Sequence, residues 1–119
     1  MKYLLLIYNN EATWTGLSAA EQGKLFQEYM DYTNRIHRSG HYIAGEALQP
    51  ISSATTVRAK NGKTLTTDGP FAETREQLGG FYMVEAKDLD EAIALAAGIP
   101  AVRTGSIEVR PIMPTPPPD

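Results

Sequence analysis

The 119-residue chain contains no cysteine. That excludes disulfides, thiolate-bound metals and cysteine nucleophiles together. Tryptophan occurs once, at Trp14, and histidine twice, at His37 and His41. The histidines are four apart, which suits a metal on one continuous helix, but Gly40 lies between them and should end the helix. No third ligand is evident nearby, so no metal site is expected. No glycine spacing matches a phosphate loop, so no nucleotide or other cofactor is expected. Basic residues are few as well. Eleven Lys and Arg against fourteen Asp and Glu leave a net charge of -3, the reverse of the clustered basic face that nucleic acid favours. The longest apolar run, Lys2 to Tyr8, is interrupted by Asn9, Asn10 and Glu11 and is far too short to span a membrane. These absences predict a cytoplasmic protein without nucleic-acid or membrane partners.

Apolar residues make up 42% and charged residues 21%, an ordinary balance for one soluble domain with a real core. Residues 2 to 8 form a continuous apolar run, as expected of a central strand covered on both faces. Asn9 to Leu17 reads as a polar connector. Ser18-Ala19-Ala20-Glu21 fits a capping box, and the helix behind it should run to about Ser39. Leu25, Tyr29 and Ile36 fall near one stripe, with Phe26, Met30 and Thr33 beside it. His41 to Leu48 reads as a second strand. Asn61-Gly62 is a strong signal for a type I′ turn, joining strands at 54 to 60 and 63 to 68. Val57 and Leu65 should leave that hairpin half buried.

Gly80 to Glu85 follows as another strand. Asp88-Leu89-Asp90-Glu91 repeats the capping pattern and opens a second helix, with Leu89, Ala92, Ile93 and Ala96 expected on its inner face. Ser106 to Pro111 alternates as the last strand. Met113 to Asp119 carries four prolines and should form an extended, mobile tail beyond a single domain of residues 1–112. Strand, helix, strand, hairpin, strand, helix, strand is an α+β arrangement. Without the hairpin it is the ferredoxin-like βαββαβ pattern. Two helices cover one sheet face. The apolar strands leave the other needing cover, which a second copy of the chain would supply.

The densest chemistry lies in Asp68-Gly69-Pro70-Phe71-Ala72-Glu73-Thr74-Arg75-Glu76-Gln77-Leu78-Gly79-Gly80. Asp68 reads either as a carboxylate beside a shared cleft, acting as a base or ligand orienter, or as the acceptor that fixes an Asp-Gly-Pro turn. Glu73 to Glu76 reads as a solvated helical turn or as part of a ligand site. Gly79-Gly80 permits a bulge or a close backbone approach. Glu46 is flanked by Ala44, Gly45 and Ala47, which leaves room beside it for a ligand. Tyr8 could line the same pocket or close the core.

This signature resembles that of the YCII-related family, DGPF subgroup. So do Met1 to Tyr8, Gly45-Glu46-Ala47-Leu48-Gln49-Pro50, and Gly105 to Pro111, in the same order along nearly the whole chain. The resemblance implies a dimeric α+β barrel, and for the wider family an aspartate at Asp68 working with a histidine. Eleven residues before the helix-ending Gly40, where that histidine is expected, this chain has Tyr29. A tyrosine donates a hydrogen bond, or acts as an acid when its pKa is lowered, and is a poor base near neutral pH. Tyr29 as a core residue with its hydroxyl tied to a partner is the structural alternative.

Two functions follow. One is a cofactor-free small-molecule enzyme of lyase or isomerase type, using Asp68 and Tyr29, with Tyr8, Glu46 and Glu73 as ligand-binding residues. The other is a non-enzymatic ligand-binding or regulatory module, which the resemblance links to extracytoplasmic-function sigma factors. In either case a homodimer binding a small molecule is expected.

Overall fold

The computed structural model describes residues 1–118; residue 119, the end of the expected tail, lies outside the described residues. Six strands and three helices follow in order: β1 Lys2–Asn9, α1 Glu11–Thr15, α2 Ala19–Arg38, β2 Tyr42–Ala47, β3 Thr55–Lys60, β4 Lys63–Asp68, β5 Gln77–Glu85, α3 Leu89–Ala97 and β6 Ser106–Pro111. Short 3₁₀ turns occupy Ile51–Ser53 and Pro100–Arg103. Four strands form one antiparallel sheet in the order β2-β5-β1-β6, and β3 and β4 form a separate hairpin. This is the α+β, ferredoxin-like arrangement with an inserted hairpin.

Local chemistry sets the helix ends. The Ser18 hydroxyl accepts from the Glu21 N–H while the Glu21 carboxylate accepts from the Ser18 N–H, a complete capping box. The Ser18 N–H first, and the Ser18 hydroxyl second, hold the Glu21 carboxyl below its usual pKa. Asp88 accepts from the Glu91 N–H and caps α3. Glu91 does not close a box there. Its carboxylate takes the Lys87 N–H and faces His41 instead.

Both long helices cover the same sheet face. Tyr3, Leu5 and Ile7 of β1 and Tyr82 and Val84 of β5 form one buried cluster with Tyr32 and Ile36 of α2, Ala92 and Ala96 of α3, and Ile99 and Ala101. Leu5, Val84, Ala92 and Ile99 are fully excluded from solvent. Two phenolic groups near this core keep partners. The Tyr32 hydroxyl donates to the Leu95 carbonyl at 2.7 Å. The Tyr82 hydroxyl bonds to Thr33 Oγ1 at 2.7 Å, and Thr33 donates on to the Tyr29 carbonyl at 2.8 Å.

Several expectations change. Residues 11–15 are a short helix capped by Asn10 rather than plain connector, because the Asn10 side chain accepts from the Ala12 N–H. The inner face of α3 is narrower than expected: Ala92 and Ala96 are buried, whereas Leu89 and Ile93 are each 49% exposed. Beside Ala92 and Ala96 it is Leu95, half-buried, that packs against the cluster, so the apolar stripe lies round the helix from the expected one. The hairpin is not half buried. Val57 is 63% exposed, and β3 and β4 pack against each other without comparable contact to any other element. Its turn is as expected, with Asn61 at φ 52 and Gly62 at φ 76.

Candidate functional site

Strand register divides the expected site residues between the two sheet faces. Residues directly opposite one another on neighbouring strands point to the same side. Glu46 pairs with Phe81, Phe81 with Leu6, and Leu6 with Glu108. Ala44, Met83, Leu4 and Arg110 form the next row on one side. On the other side lies a row of Leu78, Tyr8 and Ser106. All three rows lie on the face that the helices leave open. Leu4, Leu6, Tyr8, Phe81 and Met83 are half-buried there. Tyr8 and Glu46 therefore lie in adjacent rows around Phe81, an aromatic and apolar platform with acidic groups at its edges.

Tyr29 is on the opposite side of the sheet, packed against the buried cluster. Burial, with the neighbouring Tyr82 second, pushes its phenol up to about 12, against the weaker opposing pull of the Ala101 backbone and the Arg103 guanidinium. A proton held that firmly makes Tyr29 a hydrogen-bond donor and not an acid or base near neutral pH. The structure thus does not bring Tyr29 together with Tyr8 and Glu46.

The signature runs from the end of the hairpin to the Tyr8 row. Asp68 closes β4 opposite Thr55, with its side chain exposed. Among the described residues its carboxylate takes part in no hydrogen bond. The turn beyond it is fixed by other groups: Gly69 N–H donates to the Ala54 carbonyl at 2.7 Å, and Thr56 Oγ1 donates to the Gly69 carbonyl at 2.8 Å. Gly69 has φ 103, a conformation that side chains resist, which accounts for the glycine of Asp-Gly-Pro.

Residues 73–76 are not the expected helical turn but an irregular bend held by side chains. Gln77 Nε2 donates to the Thr74 carbonyl at 2.6 Å, and Gln77 Oε1 accepts from the Glu11 N–H at 3.0 Å. The Glu11 carboxylate in turn accepts from the Ile51 N–H at 2.9 Å. Glu76 Oε1 accepts from Ser106 Oγ at 2.7 Å and ties the bend to β6. Glu73 is exposed on this bend, as is Phe71 at 79%. Sequence reasoning passed over Glu11, Gln77 and Ser106. Their pairing spans 30 or more residues, and no local pattern signals it.

The glycine beside Glu46 also has a different reason from the one expected. A Cβ on Gly45 would lie 2.8 Å from the Tyr82 ring, so the missing side chain makes room for a core aromatic and not for a ligand. At Gly79-Gly80 the β1–β5 register shifts between Ile7 and Tyr8, the bulge that the glycine pair permits.

Two clefts lie away from the open face. One, about 290 Å³, sits between α2 and the Pro100–Arg103 turn and includes Arg35, Gly98 and Arg103. The other, about 350 Å³, includes Ser39, His41 and Glu91. There His41 Nδ1 is 2.7 Å from Ser39 Oγ and Nε2 is 3.2 Å from Glu91 Oε1, which joins the end of α2 to the start of α3. His37 stacks on Tyr42 with ring centroids 3.8 Å apart. None of Tyr8, Tyr29, Glu46, Asp68 and Glu73 lines either cleft. Among the described residues, no three His, Cys, Asp or Glu side chains gather as a metal-binding group, and no helix is long and apolar enough to cross a membrane.

Comparison with known proteins places this architecture. An uncharacterized protein of Rhizobium meliloti (strain 1021) is 36% identical over 114 residues, covering 94% of this chain and 92% of the relative. Among solved structures, the 5-chloro-2-hydroxyhydroquinone dehydrochlorinase of Burkholderia phenoliruptrix AC1100, in complex with 2,5-dihydroxybenzoquinone, superposes with a TM-score of 0.56. The match covers 95% of this chain and 94% of the enzyme at 13% identity, a likeness of fold. The YCII-related domain matches residues 1–116, and with that span added to the relative, the chain belongs to the YCII-related family.

Proposed function

We propose that the protein is a homodimer in the cytoplasm whose stacked open faces enclose a cofactor-free site for a small hydroxylated cyclic compound, with proton transfer as its chemistry. The observation that carries this reading is the open face itself. A half-buried apolar platform of Leu4, Leu6, Phe81 and Met83 has Glu46 at the end of its Phe81–Leu6 row and Tyr8 in the next row, and pockets of this composition suit flat ligands with a few polar groups. The fold-level likeness to an enzyme that acts on a chlorinated hydroxyhydroquinone supports the ligand class.

Within this reading Glu46 and the Tyr8 hydroxyl orient ring hydroxyls, and the unengaged carboxylates of Asp68 and Glu73 approach from the signature bend. Asp68 takes the role of general base, accepting a proton from a ring hydroxyl. Tyr29 acts from behind the sheet as a positioning residue, its carbonyl holding Thr33 and through it Tyr82.

The test is titration with 2,5-dihydroxybenzoquinone followed by its absorbance. Wild-type protein should bind, Glu46→Gln and Tyr8→Phe should each weaken binding about tenfold, and Tyr29→Phe should bind as wild type. Turnover of hydroxylated chloroaromatics should fall by about a hundredfold or more in Asp68→Asn with binding retained. Binding unaffected by Glu46→Gln and Tyr8→Phe would remove the open face from the site. Turnover unaffected by Asp68→Asn would remove Asp68 as the base.

A further inference from the structure

Packing within the chain does not account for the β3–β4 hairpin. A two-stranded hairpin is marginal in water by itself, yet this one stands off from the sheet with nearly every side chain exposed. Six residues per strand give it a length of about 20 Å. The radius of gyration is 16.5 Å, above the about 13.5 Å of a compact globule of this length, an excess the hairpin shares with the exposed, irregular residues 113–118. The hairpin is an arm.

Its register sorts charge onto one side. Thr55, Val57 and Ala59 share a face with Thr64, Thr66 and Asp68. Thr56, Arg58 and Lys60 share the other with Lys63, Leu65 and Thr67. All three cations of the arm therefore lie together, beside an exposed leucine, and among the described residues none is in an ion pair. Over residues 55–68 the arm has three cations and one carboxylate, while the rest of the chain has eight cations and thirteen carboxylates. Arm and body carry opposite net charge.

The open sheet face shows the complement. Glu46 on edge strand β2 and Glu108 on edge strand β6 flank Phe81 and Leu6 in one row, and among the described residues neither carboxylate is in an ion pair. Stacking two such faces brings four rim carboxylates into a narrow, partly desolvated seam. Among the described residues the cations of that face are Arg110, in the next row of edge strand β6, and Lys2 at the far end of β1 opposite Glu85, so its three carboxylates, Glu46, Glu85 and Glu108, outnumber them. Like charges at such a seam oppose association unless cations are interposed.

We propose that in the homodimer each arm reaches across to the other copy and sets Arg58, Lys60 and Lys63 against the rim carboxylates Glu46 and Glu108 of that copy, with Leu65 covered in the contact. This rests on the sheet-stacked dimer proposed above. It gives the hairpin an occupant for its basic face and gives the acidic rim its counter-charge.

Sedimentation of the full chain tests both readings separately. In about 50 mM salt, where surface charges are weakly screened, wild type should be dimeric and Phe81→Asp monomeric. Arg58→Glu with Lys60→Glu and Lys63→Glu should raise the dimer dissociation constant about tenfold or more. Mixing that triple variant with Glu46→Lys/Glu108→Lys should restore a heterodimer, and raising salt to about 500 mM should weaken wild type but not the triple variant. A second variant, with residues 57–66 replaced by Asn-Gly, removes the arm while sparing the body. It should show the same loss and settles the matter if the triple variant fails to fold. A wild-type monomer overturns the stacked dimer itself. A wild-type dimer that the triple and arm-shortened variants leave equally tight, or that shows no charge-swap rescue, overturns the arm and spares the dimer.

Discussion

The two faces of the four-stranded sheet are built from the same strands but obey different rules. On β1, Tyr3, Leu5 and Ile7 point under the helices and are buried, while Leu4, Leu6 and Tyr8 point the other way and remain half-buried. On β5 the buried set is Tyr82 and Val84, and the half-buried set is Phe81 and Met83. The covered face is finished within one chain: its phenols find partners at Leu95 and Thr33, and no side-chain polar atom buried away from solvent lacks one among the described residues. The open face carries comparable apolar character without cover. Sequence-neighbouring residues such as Leu5 and Leu6 thus report on two separate equilibria, folding and association.

The largest effect should come from separating these equilibria by truncation. Leu5→Ala removes a fully buried side chain, and a rigid core relaxes only partly around the cavity, so it should cost about 2–5 kcal/mol. Urea denaturation should give that value at every protein concentration. Leu6→Ala should cost less in dilute solution, and its cost should grow with protein concentration as association becomes significant. Equal, concentration-independent losses at both positions would erase the distinction between the faces.

A smaller effect probes the contact between the two faces at the β2 edge. Gly45 pairs with Tyr82, and a Cβ there meets the tyrosine ring at 2.8 Å. Gly45→Ala should therefore destabilise by about 1–3 kcal/mol through overpacking of the core, read as a shift in urea midpoint. If the glycine instead served a ligand on the open face, the substitution would lower binding of 2,5-dihydroxybenzoquinone and leave the midpoint in place.

The covered face was largely legible from sequence, and the open face was legible only as a deficit. The unbroken apolar run of β1, the Ser18–Glu21 box and the Asn61-Gly62 turn are local patterns, so the order of elements, α1 apart, and the ferredoxin-like arrangement could be read directly. Which side of the sheet each residue occupies depends on register between strands far apart in sequence. That is why Tyr29 and Glu46, grouped as members of one site, fall on opposite faces. The same applies to the hairpin: its turn was written locally, but whether it lies on the sheet or stands away from it is decided by contacts that Val57 and Leu65 do not make. The Glu11–Gln77 and Glu76–Ser106 bonds are long-range pairs of polar side chains, which leave no periodic trace.

The smallest effect concerns the polar finish of the covered face. The Tyr82 hydroxyl, bonded to Thr33, has its pKa raised mainly by burial, with the Thr33 bond opposing the shift, and Tyr29 is pushed up to about 12. Tyr82→Phe removes one hydrogen bond while leaving Thr33 bonded to the Tyr29 carbonyl, so it should cost about 1 kcal/mol near neutral pH. The alkaline limb gives the sharper reading. An unfolded tyrosine loses its proton at about pH 10, whereas these folded ones hold theirs longer. The unfolded state then binds fewer protons, and stability falls as pH rises from about 10 through the folded value of about 12 for Tyr29. Below pH 10 that contribution is fully present. Stability of wild type and Tyr82→Phe measured from pH 8 to 12, alongside phenolate absorbance, should show a steep alkaline loss in wild type and a shallower one in the variant, which has one fewer raised phenol. Identical alkaline slopes would mean that Tyr82 titrates freely and that the covered face is less closed than its packing indicates.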